Sequence, residues 1–247
     1  MQKVGIIGGL GPEATVDYYK RIVHFFHEYN QGLSTPEIFI YSVDITELFK
    51  LVADQQWDTL TKWLTSKVIA LKNAGADFAV ISANTPHIVF NQVQAQSPLP
   101  LISIVEATLG SAKLAGLTKV GLLGTQFTMQ SNFFGDRFAS EGISVVVPDN
   151  NEQHYIQDKL VNEIELGIFN EATRQEFMAI ITRMKNDHDI DAVILGCTEL
   201  PLILNAADSE MPFLNTTELH VAAICQRCLR PLQERCEQVT AHESAAL

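Results

Sequence analysis

Cys197 is the residue whose type and place point most directly to chemistry. It comes after the run Asp191-Ala192-Val193-Ile194-Leu195-Gly196 and precedes Thr198-Glu199. A thiol at the end of a buried strand and beside a helix start is expected to ionise easily, because the helix dipole favours thiolate. A thiolate is a base toward an acidic C–H as well as a nucleophile. A second stretch, Asp77-Phe78-Ala79-Val80-Ile81-Ser82-Ala83, has the same order of residue types and is followed by Asn84-Thr85. The position that matches Cys197 is Ala83, and a methyl group moves no proton. Ser82 is adjacent, but strand alternation turns it to the other face. Asn84 and Thr85 offer an amide, a hydroxyl and backbone N–H groups suited to a carboxylate. The same residues before Pro86 also read as ordinary helix capping. Thr198 and Glu199 stand in the corresponding place of the second stretch.

Other candidates lie at other strand ends. Gly8-Gly9-Leu10-Gly11-Pro12-Glu13 opens a helix after a strand, so its N–H groups could meet an anion, with Leu10 at its tip. Dinucleotide spacing fails here, no Lys-Ser/Thr comes after it, and Pro12 is equally a plain helix-start signal. Thr125 and Thr128 come after the strand at residues 120–123. His87 and His220 each stand near a helix start, where a structural role is more usual than that of a general acid. Cys225, Cys228 and Cys236 fall on a terminal helical pattern. The C-x-x-C they contain has no second pair or histidine at metal spacing, so no metal site is expected.

The elements that position these residues repeat. Lys3-Val4-Gly5-Ile6-Ile7-Gly8-Gly9 matches Lys119-Val120-Gly121-Leu122-Leu123-Gly124-Thr125 at an offset of 116 residues, and Asp77 matches Asp191 at 114. Two pairs in nearly one register indicate two related halves. Strands are expected at residues 4–7, 38–43, 78–82, 101–104, 120–123, 144–147 and 192–195. Helical spacing covers 13–29, 57–74, 105–115, 129–141, 152–166, 171–186 and a final helix capped at Thr216. In the first helix Val16, Tyr19, Ile22, Val23 and Phe26 share a face. Continuous apolar strands alternating with helices give an α/β fold of two Rossmann-like parallel-sheet domains. The expected division is residues 1–115 plus 215–247, with a returning C-terminal helix, against 116–214. Ligands of open α/β sheets sit beyond the carboxyl ends of the strands, so the active site is expected in the cleft between the domains.

Composition narrows the partners. The chain has 247 residues, 47% of them hydrophobic, and a formal net charge of −12. Such an acidic chain without a basic cluster repels phosphate backbones, which excludes nucleic acid. No apolar run reaches the ~18 residues of a membrane span. The N-terminus enters a strand directly instead of reading as a signal peptide, so a cytoplasmic location is expected.

In combination and order, these motifs resemble the aspartate/glutamate racemase family of cofactor-independent amino-acid racemases. The matching pieces are Val4 to Thr15 with Tyr18-Tyr19, Ala83-Asn84-Thr85-Pro86-His87, Leu123-Gly124-Thr125 with Thr128-Met129, and Gly196-Cys197-Thr198-Glu199-Leu200. The resemblance implies domains related by a pseudo-twofold axis, a homodimer, an amino-acid or carboxylate ligand and no pyridoxal phosphate. It implies one thiol on each side of the substrate, with Cys197 catalytic and Leu10, Ala83, Asn84, Thr85, Thr125, Thr128, Thr198 and Glu199 around the substrate. The chain departs from that pattern at Ala83, where the first thiol belongs. Relatives that hold a dicarboxylate grip it with basic residues. Residues 45–52 offer only Lys50, and the stretch Ile164-Glu165-Leu166 offers none. Three functions are compatible with this pattern: a racemase that works with one thiol, a one-faced enzyme of decarboxylase or isomerase type, or a non-catalytic carboxylate binder.

Overall fold

The computed structural model describes residues 1–205 and 209–230. Cys236, His242 and the polar tail lie outside them. The first half runs through Val4–Gly8 (β1), Pro12–Asn30 (α1), Ile38–Ser42 (β2), Ile45–Ala53 (α2), Trp57–Ala74 (α3), Phe78–Ile81 (β3), Phe90–Gln96 (α4), Leu101–Ile102 (β4) and Ile104–Leu114 (α5). The second runs through Lys119–Leu123 (β5), Gln126–Gln130 (α6), Phe133–Ala139 (α7), Ser144–Val146 (β6), Asn150–Asn162 (α8), Glu171–His188 (α9), Ala192–Leu195 (β7), Phe213–Asn215 (β8) and Thr216–Leu229 (α10).

The strands form two parallel four-stranded sheets of identical order, β2-β1-β3-β4 and β6-β5-β7-β8. Val4 pairs with Phe78 as Val120 pairs with Ala192, and Ile7 with Ile81 as Leu123 with Leu195. The repeat seen in the sequence is therefore a repeat in register. Ala83 and Cys197 each stand two residues past equivalent strand ends.

Alternation along the strands sorts side chains onto two faces. Ala79, Ile81 and Ala83 pack with α2, α3 and α4 on one face of the first sheet. Val193, Leu195 and Cys197 pack with α8 and α9 on the matching face of the second. Ser82 turns the other way, and its hydroxyl donates to the Ile7 carbonyl at 3.1 Å.

The last helix of each half covers the sheet of the other. In α5, Ile104, Val105, Leu109 and Ala112 pack with Val120, Leu122 and Ile194 of the second sheet. In α10, Val221, Ile224, Cys225 and Cys228 pack with Val4, Ile6 and Val80 of the first. Each larger apolar side chain buried this way contributes about 1.5–3 kcal/mol, so the crossing helices bind the lobes together. The division expected from sequence puts α5 with the first unit, but its core contacts belong to the second sheet. The chain crosses at Ser103, whose hydroxyl accepts the Val105 and Glu106 N–H groups and caps α5.

Some elements differ from the sequence reading. Helix α1 buries Ala14, Tyr18, Ile22 and Phe26, while Val16 and Tyr19 face outward. Both stripes are apolar at helical spacing, and the partner α10 selects between them. The helix expected over 129–141 breaks at Ser131-Asn132, where the Ser131 hydroxyl bonds back to the Phe127 carbonyl at 2.6 Å. A further helix, α2, is capped by Asp44, whose side chain accepts the Thr46 N–H. It is Asn215, not Thr216, that caps α10, accepting the Glu218 N–H.

Candidate active site

The floor of the site at the end of β7 is a thiol held by a carboxylate. Cys197 is buried, and its Sγ donates to Glu199 Oε2 at 3.1 Å. The Thr198 hydroxyl donates to the same oxygen at 2.7 Å. Burial, then the Glu199 charge, pushes the thiol well above its ordinary range; the Glu199 backbone N–H works in the opposite direction and loses. The easily ionised thiol expected from a helix start is therefore corrected. Beyond Cys197 there is one short 3-10 turn, Leu200–Leu202, and a carboxylate stands closer than any dipole. At rest Cys197 is a protonated acid with a base in contact.

Across the junction Glu199 meets the first lobe. Gly11 has φ 134°, and a Cβ there would lie 2.7 Å from Glu199 Oε1. Only glycine lets this loop take that conformation and leave room for the carboxylate. The loop is pinned by Thr15, whose Oγ1 accepts the Gly9 N–H at 2.8 Å and donates to the Gly11 carbonyl at 3.1 Å. Gly9 thus has no N–H left for an anion. The Leu10 side chain is buried in the first-lobe core.

The end of β3 is neutral. Ala83 and Asn84 are buried and Thr85 is half-buried. The Asn84 amide donates to Thr216 Oγ1 at 3.2 Å, and that hydroxyl donates to the Leu195 carbonyl at 2.8 Å. This relay joins the carboxyl ends of β3 and β7. Asn84 Oδ1 and Thr217 Oγ1 remain buried with no hydrogen-bond partner. A buried acceptor left open costs about 1–3 kcal/mol, and Asn84 Oδ1 is such an acceptor. Sequence reasoning takes Thr216 and Thr217 only as a helix start; their signal is the pair of hydroxyls directly behind the Asn215 cap.

Thr125 and Thr128 are brought to the end of β5 but satisfy each other. Thr125 Oγ1 accepts the Thr128 N–H at 3.2 Å, and the two hydroxyls lie 3.0 Å apart. Both histidines are structural. His87 Nε2 accepts the Ile104 N–H at 3.2 Å, which leaves Nδ1–H to donate to the Ala83 carbonyl at 2.9 Å. His220 Nε2–H donates to the Ile102 carbonyl at 3.0 Å, and Nδ1 takes the Tyr18 hydroxyl at 2.8 Å. Burial above all drives His87 down to about 3 and His220 to about 4. Neither has a free nitrogen for a substrate. Cys225 and Cys228 are buried core residues on α10, each pushed up to about 12 by burial. Among the described residues no cluster of histidine, cysteine, aspartate or glutamate is arranged for a metal ion, and no helix is long and apolar enough to cross a membrane.

The charge around the thiol is of one sign. Glu165 stands on the turn Ile164–Leu166, and Ile164 packs in the same core cluster as Cys197 and Leu200. Partial burial and then the Glu199 charge raise the Glu165 carboxyl, and Glu165 in turn adds to the rise at Cys197. Among the described residues neither carboxylate has an ion-pair partner. Leu48 and Leu51 of α2 are core residues, while Lys50 is exposed.

Two parallel α/β lobes, with a thiol–carboxylate pair at one strand end and a neutral amide at its counterpart, define a two-lobed α/β protein built from a repeated unit. The chain belongs to the Asp/Glu/hydantoin racemase family, whose pattern matches residues 7–224. It is 24% identical over 217 residues to the broad-specificity amino-acid racemase RacX of Bacillus subtilis, across 87% of this chain and 92% of that one. A Yersinia pestis crystal structure, provisionally described as an Asp/Glu racemase, superposes with a TM-score of 0.86 at 35% identity, covering 93% of this chain and 100% of that one. An aspartate racemase homologue from Pyrococcus horikoshii superposes with a TM-score of 0.83 at 33% identity, covering 93% and 100%.

Proposed function

We propose that this protein is a cofactor-independent amino-acid racemase that works with one thiol. The observation that carries the reading is the Cys197 Sγ–Glu199 Oε2 hydrogen bond at the end of β7. Glu199 takes the thiol proton, and the resulting thiolate removes the α-proton of the bound amino acid. Glu199 then holds the proton that must return. Ala83 supplies no acid on the opposite face, so water delivers the proton that inverts the centre, and the hydroxide left behind is neutralised by the proton held on Glu199, which restores both groups. Losing one positioned acid typically costs 10²–10⁴-fold in rate, which slows such an enzyme and leaves the reaction possible. Asn84 Oδ1, being an acceptor, takes an N–H of the substrate α-ammonium, while N–H groups near Thr85 and Thr198 take its carboxylate. The family resemblance further supports a cytoplasmic homodimer.

A second reading is a one-faced enzyme of decarboxylase or isomerase type. It is favoured by the same thiol being protonated at rest, since a buried acid facing an empty counterpart suits protonation of a carbanion from one side. Incubation of L- and D-amino acids in D₂O separates these readings. Racemisation predicts α-deuterium in both enantiomers. One-faced chemistry predicts exchange with retention, or release of CO₂. A panel that binds without exchange supports the non-catalytic carboxylate binder instead.

A further inference from the structure

We propose that His87 is a positioning residue: through one neutral imidazole it ties the turn that follows β3 to the point where the chain crosses between the lobes, and so holds the ends of β3 and β7 at a fixed spacing. Among the described residues the chain crosses twice, at Ser103 before α5 and at Asn215 before α10. The turn Thr85–Val89, with Asn84 before it, grips both crossings. The Asn84 amide reaches Thr216 at the second, and His87 reaches Ile104 at the first.

The first crossing is held from two sides. His220, on the helix that returns from the second lobe, donates to the Ile102 carbonyl at 3.0 Å, and His87 accepts the Ile104 N–H at 3.2 Å. The opening amides of a helix lack partners within it. In α5, Ser103 takes those of Val105 and Glu106, and His87 takes that of Ile104. A side chain of the first lobe thus completes the cap of a helix that packs on the second sheet, against Ile194 of the strand leading to Cys197. The bond from Nδ1–H to the Ala83 carbonyl, at 2.9 Å, fixes the tautomer that leaves Nε2 free to accept. The buried ring is also stacked on Phe90, with centroids 5.0 Å apart. A residue that merely filled the core would not need opposite hydrogen-bonding roles on its two nitrogens. The repeat sharpens the point. At the same offset of 114 residues, the place of His87 in the second lobe belongs to Pro201, which has no side-chain donor or acceptor. The tie is made once, from the lobe whose strand end carries Ala83.

The two bonds of the ring can be separated by variants. In His87→Asn the short amide stays near the Ala83 carbonyl and falls short of Ile104. In His87→Gln the longer amide reaches the Ile104 N–H and keeps the tie. Nitrogen NMR of the wild type should find Nδ1 protonated and Nε2 bare. Amide hydrogen exchange at Ile104 should quicken about tenfold in His87→Asn, the scale of one hydrogen bond, and stay near wild type in His87→Gln. The kinetic arm alone rests on the racemase reading. Per folded molecule, kcat for α-proton exchange in D₂O should fall by up to about 10²-fold in His87→Asn, as for a misplaced wall of a site. KM should change little, and His87→Gln should restore the rate. A protonated Nε2 in the wild type, an Ile104 amide that exchanges alike in wild type and folded His87→Asn, or an equal loss of kcat in both variants overturns the proposal. If His87→Asn does not fold, the wild-type tautomer and the Ile104 amide of His87→Gln decide: a bare Nε2 with a protected amide supports the tie, and a quickened amide overturns it. If the wild type turns over no amino acid, the racemase reading falls and the tautomer and amide measurements still decide the tie.

Discussion

At the end of β3 the side chain is a methyl group, Ala83, packed with the first-lobe core, and its carbonyl is held by a neutral histidine. At the end of β7 the same face carries a thiol in contact with a carboxylate. The backbones are matched in register, so the contrast is one of chemistry alone. The first lobe supplies fixed, uncharged polar groups: Asn84, and a histidine pair with no free nitrogen. The second carries the thiol–carboxylate pair. Duplication thus gave one architecture twice, with an ionisable pair at one strand end and a methyl group at the other.

The largest break in that comparison is removal of the thiol. Cys197→Ala should take α-proton exchange to background, in wild type and in an Ala83→Cys background, measured by NMR in D₂O with folding checked by circular dichroism. Exchange that persists would move the base elsewhere.

The comparison is sharpened by making the lobes alike. Ala83→Cys places a second thiol at the equivalent position and should raise racemisation by up to the ~10²–10⁴-fold a positioned acid supplies. Polarimetry on the substrate panel reads it directly. A folded but no faster variant would show that the end of β3 has repacked beyond the reach of a thiol.

The histidine pair of the first lobe gives a pH signature. His87 and His220 sit at about 3 and about 4 when folded, against 6.5 unperturbed. The unfolded chain gains protons below pH 6.5 and the folded one does not, so stability is full above 6.5 and falls as pH drops toward 4. At pH 5 each histidine should cost about 2 kcal/mol. Urea titrations at pH 7 and pH 5 measure the sum, and equal stability at both would mean that the pair is not buried neutral.

The smallest effect concerns the carboxylate that marks the second lobe. Glu199→Gln removes the charge that disfavours thiolate, so alkylation of Cys197 by iodoacetamide should shift to lower pH. Peptide mass mapping across a pH series tracks it, with Cys225 and Cys228 as buried references. A profile unchanged by the substitution would uncouple the two groups.

The sequence by itself determined the repeat, its register, the strand ends that converge and the family. Each rests on short local patterns: apolar runs of strand length, and matched motifs at offsets of 114 and 116 residues. It also determined that Ala83 is the counterpart of Cys197 in the repeat, and that Ser82 turns to the other face, since alternation is a local property of strands. Tertiary structure alone decided the rest. Asn84 meets Thr216 across 132 positions and Tyr18 meets His220 across 202. Those contacts leave Asn84 Oδ1 an open acceptor and give both histidines the structural role that their place in the sequence favours. The crossing of α5 and α10 was equally hidden, because an apolar helix face does not name the sheet that covers it. The direction of the Cys197 shift was hidden too: burial and the carboxylate two residues on outweighed any influence of the helix start, and a balance between desolvation and dipole is set by what surrounds the atom in space.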